Sequence, residues 1–426
     1  MRPRSFVWLA VASLAVVVSA PARAEEAPPT AIVHVRAYLP GDHPPVDDVT
    51  IVLANGKIQA VGPGLAPPAG ANVIDAGGRI ATPGFIDADD DVGVVDVDME
   101  ASTNDADAHV SLNPGLRMAD AYNPRSLLVP ITRAAGVTSV VIAPRNGALA
   151  GQGAFVDLVD DDVASPVVRA PLAQYANVDE ATSEATSGTR GGLWQMLREA
   201  FDDARFYGTH KPQYESNASR PLGLHRLALE ALQPVVRGAM PLVVTAHRAS
   251  DIETTLRVAD ELKLRVILRG ASEAWMLADD LARRKITVII DPVEDLPARF
   301  DRLHARSDNA AILSRAGVRV VIATFVTHQA RRLWQHAGNA VRLGMDHDAA
   351  VRAVTEAPAA AFDLQGYGKI EPGAVANVVV WSGDPFQSST RVEHVFVRGH
   401  EASLETRQTL LLRRYRRVPF VHDGTR

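Results

Sequence analysis

Along this chain the spacing of the apolar residues changes twice. In Ala31-Ile-Val-His-Val-Arg36 and Val49-Thr-Ile-Val-Leu53 they follow the two-residue period of a strand. Asn55-Gly56 supplies a two-residue hairpin turn into Lys57-Ile-Gln-Ala-Val-Gly62, and Val73–Ala76 and Gly78–Ala81 follow as short strands. From about residue 124, buried-type apolar runs alternate with helical patterns. Thr138–Pro144, Pro241–His247, Leu264–Gly270, Ile286–Pro292 and Val318–Phe325 read as strands, and Pro124–Ala135, Asp251–Leu262 and Glu273–Arg284 as helices. Strand then helix, every 20 to 30 residues or so, predicts a (β/α)8 TIM barrel. Strand patterns return at Tyr367–Trp381 and Val392–Gly399. The opening β segment is too small to bury much core alone, so the two chain ends are expected to complete one β unit. Asp179–Arg220, rich in Ser, Thr and Gly around a helical Leu193–Phe206, is expected to be an insertion over the barrel mouth.

Composition narrows the classes. A basic start, the apolar run Phe6–Val18 and small residues at Ala22 and Ala24 predict a cleaved signal peptide over 1–24, and hence an exported, periplasmic protein. That run is shorter than the roughly 20 residues of a membrane span, and no later stretch qualifies. The absence of cysteine excludes disulfides, thiolate metal sites and a cysteine nucleophile. A net charge of −6 with no basic stripe gives no sign of a nucleic-acid partner.

Pro83-Gly-Phe-Ile-Asp-Ala88 followed by Asp89-Asp90-Asp91-Val92-Gly93 resembles the first barrel strand of the amidohydrolase superfamily, where a His-X-His metal pair stands at Asp89 and Asp91. Gly368-Lys-Ile-Glu-Pro-Gly-Ala-Val-Ala-Asn377 resembles that family's closing motif, with Asn377 at its Asp position. Asn123-Pro124, Ala135–Val141, Gly151-Gln-Gly153, Ala246–Ile252 and Arg352–Ala359 are similar to an imidazolonepropionase-like branch. The resemblance implies a β-sandwich split between residues 25–84 and 366–426, the latter including a tail, around a barrel at 85–365. It also implies metal-dependent hydrolysis of non-peptide or dipeptide-like C–N bonds. In that chemistry a divalent ion (zinc, manganese or iron) lowers the pKa of bound water and an Asp on the last strand takes the proton.

The positions that should carry this chemistry depart from it. Asp89 and Asp91 replace two His ligands, Thr245 a third, Arg269 a fourth, and Phe325 stands at the catalytic Asp. A carboxylate still binds hard cations. An arginine is donor-only and always charged, and a phenyl ring is no base. The expectation is a barrel with its metal site lost and no cofactor. It would act as a small-molecule binding protein or as an oligomeric partner of an intact relative, with Arg269 in place of the metal and paired to Asp89 or Asp91. Gln152, His247 and Arg248 are possible ligand-binding residues. The alternative is an active hydrolase rebuilt around Asp89, Asp91 and His247, with a divalent metal on the two aspartates. Weaker candidates are a hard-cation site in the run Asp87–Asp98, a base at His328, and loop His109; the solvated-loop reading of that acidic run is the blander one.

Overall fold

The computed structural model describes residues 28–41, 43–107, 110–160, 165–294 and 296–416. The predicted signal segment, His109 and the end of the C-terminal tail lie outside these.

Among the described residues sixteen strands form two sheets. The first is β1 (Thr30–Ala37), β2 (Val46–Ala54), β3 (Lys57–Pro63), β4 (Asn72–Asp75) and β5 (Ile80–Pro83), joined from the far end by β14 (Val378–Trp381), β15 (Val392–Val397) and β16 (His400–Glu401). Its order is β16-β15-β14-β5-β1-β2-β3, with β4 also on β1. The first half of β1 pairs with β4 and the second with β5, across an irregularity at which His34 adopts φ 54°. Alternate apolar side chains, among them Ile32, Val35, Ile51, Leu53, Ile58, Val378 and Phe396, close over its core. This sheet-rich unit draws on both chain ends.

The second sheet is the barrel: β6 (Phe85–Asp90), β7 (Val137–Ile142), β8 (Leu149–Asp157), β9 (Val167–Asn177), β10 (Leu242–Ala246), β11 (Val266–Gly270), β12 (Thr287–Ile290) and β13 (Arg319–Ile322), paired in sequence order. Past the end of β13, the Phe325 N–H donates to the Asp89 carbonyl of β6 at 3.0 Å and brings the edges together. Ile86, Val141, Val243, Ile267, Ile289 and Val321 fill the interior, one from each of six strands.

The barrel differs from an all-parallel one in β8, which is antiparallel to both neighbours. The loops before and after β8 are too short for the crossover of a dozen or more residues that parallel pairing needs, so the chain turns back as hairpins. Gly151 and Gly153 serve this packing. A Cβ at Gly151 would lie 2.9 Å from Leu116, and one at Gly153 would lie 2.7 Å from the Tyr175 ring.

The expected insertion divides. The helix Glu180–Thr186 stands at the barrel mouth. The long helix Arg190–Thr209 buries Leu193, Leu197, Phe201, Ala204 and Tyr207 in the shell outside the strands, so it is a barrel crossover rather than a cover. Its apolar spacing, rather than the Ser/Thr/Gly bias around it, was the informative signal.

Candidate functional site

Reactive groups of a barrel collect where its parallel strands end. Here β6 delivers four carboxyls, Asp87, Asp89, Asp90 and Asp91, with relative exposures of 0, 0, 0 and 7%. The solvated-loop reading of this run is therefore wrong for these four, because they sit in or directly after a strand enclosed on both faces; only Asp96 and Asp98 beyond them are exposed. Burying carboxylates requires compensation, and it comes in two forms.

Asp89 and Asp91 are met by guanidinium groups. Arg269, at the end of β11, donates from Nε to Asp89 Oδ2 (2.8 Å) and from Nη2 to Asp89 Oδ1 (3.1 Å), the two-point geometry that suits carboxylate and guanidinium. Its Nη1 reaches Thr245 Oγ1 at 3.3 Å. Arg145, three residues past β7, donates from Nη1 to Asp89 Oδ1 (2.6 Å) and from Nε to Asp91 Oδ2 (3.2 Å). The Thr327 N–H donates to Asp91 Oδ1 at 2.6 Å. Burial alone would weaken the hold of Arg145 on its proton; Asp91 and Asp89 outweigh it and raise its pKa. The Phe325 ring lies 4.4 Å from the Arg269 guanidinium carbon, so Arg269 is held between a carboxylate and an aromatic face. Phe325 does this from the left-handed region, at φ 63°, an uncommon conformation for a bulky residue.

Asp87 and Asp90 are compensated by protons. Thr324 Oγ1 lies 2.6 Å from Asp87 Oδ2 and 2.8 Å from Asp90 Oδ2. A hydroxyl has one hydrogen to donate, so at least one of the two carboxyls carries a proton and donates it back. Burial pushes Asp87 up to about 7, and burial followed by the charges of Asp87 and Asp91 pushes Asp90 well above the carboxylate range. Below the Asp87 midpoint of about 7, with both protonated, two carboxylates face two guanidiniums.

The Asp87 shift has a measurable sign. The folded protein holds that proton more tightly than the unfolded chain, whose carboxyl has the ordinary value of 3.8. This contribution to stability is full below pH 4 or so and is lost as pH rises to about 7. Urea unfolding of wild type and Asp87→Asn between pH 4.5 and 8 should show wild type losing stability relative to the variant over that window. A relative gain would contradict the assignment.

His247, just past β10, belongs to a neighbouring arrangement. Its Nδ1 pairs with Ser272 Oγ at 3.0 Å, and Arg302 Nη2 donates to its Nε2 at 2.9 Å. Accepting at Nε2 fixes the neutral ring with its hydrogen on Nδ1. Burial, then the charges of Arg302, Arg269 and Arg299, hold its pKa well below the ordinary value. Gly270 packs so closely on the ring that a Cβ there would lie 2.3 Å from Cε1.

The structure thus brings Asp89, Asp91, Thr245, Arg269 and Phe325 together, with the His247 ring packed on Gly270 next to Arg269. Two of the ligand-binding expectations go elsewhere. Gln152 is buried in β8 with its amide donating to the Ala231 carbonyl at 3.3 Å, and so serves the packing of the barrel wall. Arg248 pairs with Asp251 at 3.0 Å, at the start of the helix Ala249–Leu262, and lines an outer groove with Arg190 and Arg257. His328 is exposed, with Asp98 3.8 Å away. Arg145 and Arg302 were missed. Arg145 had a readable signal, a charged residue three positions after a barrel strand; Arg302 lies in the single 3-10 turn Phe300–Arg302 between strand and helix and had none.

Over Arg145 and Arg269 opens a cleft of about 490 Å³, whose wall includes Asn146, Asn177, Thr182 and Ala185. As a donor set for a cation it is poor. Both Asp89 oxygens accept from guanidiniums, the His247 Nε2 lone pair accepts from Arg302, and Arg269 is itself a cation. Among the described residues no three His, Cys, Asp or Glu are placed to share an ion.

Comparison with known proteins points in one direction. A model of the Amidohydrolase family matches residues 256–402. A solved amidohydrolase from Thermotoga maritima superposes with a TM-score of 0.81 at 25% identity, over 88% of this chain and 99% of that one. An amidohydrolase, tasK, of Hapsidospora irregularis is 21% identical over 378 residues, which are 80% of this chain and 38% of the relative. A dihydroorotase of Geobacter sulfurreducens is 56% identical over 43 residues, 10% of either chain. The matches span less than two-fifths of the length of these two curated relatives.

Proposed function

We propose, for a chain that belongs to the amidohydrolase superfamily, that a pair of arginines has replaced the catalytic metal and that the barrel binds a ligand or supports a partner instead of hydrolysing C–N bonds. The observation that carries this reading is the Asp89 carboxylate. Both its oxygens are saturated by Arg145 and Arg269, so the charge a divalent ion would supply is already present as two fixed guanidiniums. Nothing at Phe325 can accept a proton from water, and the His247 imidazole is turned toward Arg302.

The competing reading, an acidic hydrolase rebuilt on Asp89, Asp91 and His247, requires Asp89 to release two charged partners and His247 one. Its support is that the related proteins carry hydrolase names. A barrel without its reaction keeps its mouth as a binding surface, which fits a ligand-binding subunit or the companion of an intact relative. Export through residues 1–24 is part of the same proposal, and the mature protein is expected in the periplasmic fraction with its first 24 residues removed.

Elemental analysis of protein purified without chelator tests the central claim. Zinc, manganese and iron should each fall well below one ion per chain. A near-stoichiometric ion that survives gel filtration would return the protein to the metal-dependent hydrolases.

A further inference from the structure

We infer that the barrel mouth binds a small, singly charged organic carboxylate through guanidinium donors that Asp89 and Asp91 leave unused. The inference rests on the metal-free reading above and deepens it by giving the class of ligand.

Three observations converge. The cleft over Arg145 and Arg269, at about 490 Å³, is within the range of small-molecule sites. Its floor has N–H groups to spare: of the five on each guanidinium, the bonds to Asp89, Asp91 and Thr245 use two of Arg145's and three of Arg269's. A guanidinium offers five N–H groups in a planar fork, and a carboxylate is the acceptor that matches two of them.

Charge is the third observation. Arg145 and Arg269 are balanced by Asp89 and Asp91; Arg302, behind the cleft lining, donates to neutral His247 and has the Asp301 carboxylate as its neighbour. The charges felt at His247, from Arg302, Arg269 and Arg299, are all positive. Two further carboxylates stand beside the cleft. Asp179 is in the cleft wall, capping the helix Glu180–Thr186 through the Thr182 N–H at 2.9 Å, and Asp107 accepts from Asn146 at 2.6 Å. With the guanidiniums balanced in this way, a monoanion meets less repulsion at the mouth than a phosphate dianion would.

The test is calorimetric titration of full-length protein of measured metal content. The probes are N-benzoylglycine, its neutral amide N-benzoylglycinamide and inorganic phosphate. The acid should bind once per chain, at least ten-fold more tightly than the amide or phosphate. Arg145→Gln should weaken it at least ten-fold. Since that variant removes a buried pairing, Ala185→Trp is the companion: it fills the mouth, removes no charge, and should abolish binding with the circular dichroism unchanged. Equal binding of acid and amide, tighter binding of phosphate, full binding by Ala185→Trp, or no heat from the acid at about 10 mM, where even millimolar affinity registers, would each overturn the inference. Acid binding that chelator abolishes would instead overturn the metal-free reading, because the anion would then be held by an ion.

Discussion

Asp89→Ala is expected to cost about 3–5 kcal/mol of folding stability, the range for stranding buried charge. The reason is the number of partners one carboxylate serves. Arg145 and Arg269 are each only 16% exposed at the side chain, and both meet at Asp89, which is fully buried. Without it Arg269 keeps a 3.3 Å contact to Thr245 and the face of Phe325, and Arg145 keeps Asp91. Denaturant unfolding measures the loss. Asp89→Asn should fall between, since its amide oxygen still accepts one of the bonds. A double-mutant cycle with Arg269→Met should show coupling, with Asp89→Ala less damaging where Arg269 is already absent. If Asp89→Ala costs under 1 kcal/mol or so, the arginines are solvated and the idea that they stand in for an ion fails with them.

The second large effect is expected from Asn377→Asp, a change that restores the family's closing motif. Asn377 Nδ2 donates to Ser139 Oγ at 3.1 Å and to Asp157 Oδ1 at 3.3 Å, and its Oδ1 accepts from the Arg398 N–H at 2.7 Å. Asp157, fully buried, also accepts from Ser139, Tyr367 and the Arg398 guanidinium, at 2.7, 2.9 and 2.6 Å. An aspartate at 377 would replace the donor by a second carboxylate facing Asp157. The expected loss is about 3 kcal/mol at pH 7, the low end for an uncompensated buried charge. It should shrink as pH falls and the new carboxyl takes up a proton. Thermal unfolding at pH 5 and 8 separates this from simple misfit, which would cost the same at both. Asn377 is thus the residue that Asp157 requires.

The sequence made the architecture plain and the site only half so. Strands β10 to β13 were readable because each is a short apolar run bounded by Gly, Pro or polar residues. β8 was not: Leu-Ala-Gly-Gln-Gly-Ala-Phe-Val-Asp is buried on both faces, is broken by two glycines and shows no alternation. At the site, each altered position could be identified from its place in a motif, and the pairing of Arg269 with an aspartate followed from charge. What could not be read was anything set by distance across the barrel. Arg145 meets Asp89 across 56 residues and Arg302 meets His247 across 55, and no periodicity encodes such contacts. The state of the acidic run was hidden for a related reason, because Thr324, which implies the shared proton, approaches from just past the last strand.

The first sheet carries a consequence for the order of assembly. β5 lies between β1 and β14, pairing Arg36 with Ile80 on one side and Val379 with Thr82 on the other. One neighbour is close in sequence, while the other is made almost three hundred residues later. During synthesis, or threading through a translocation pore, β1 to β5 therefore emerge as a sheet with an open edge, and they wait until nearly the whole chain has followed. An unpaired edge of that kind recruits other chains. Slow delivery of the C-terminal segment should then favour aggregation over folding even though every residue of the barrel is already present.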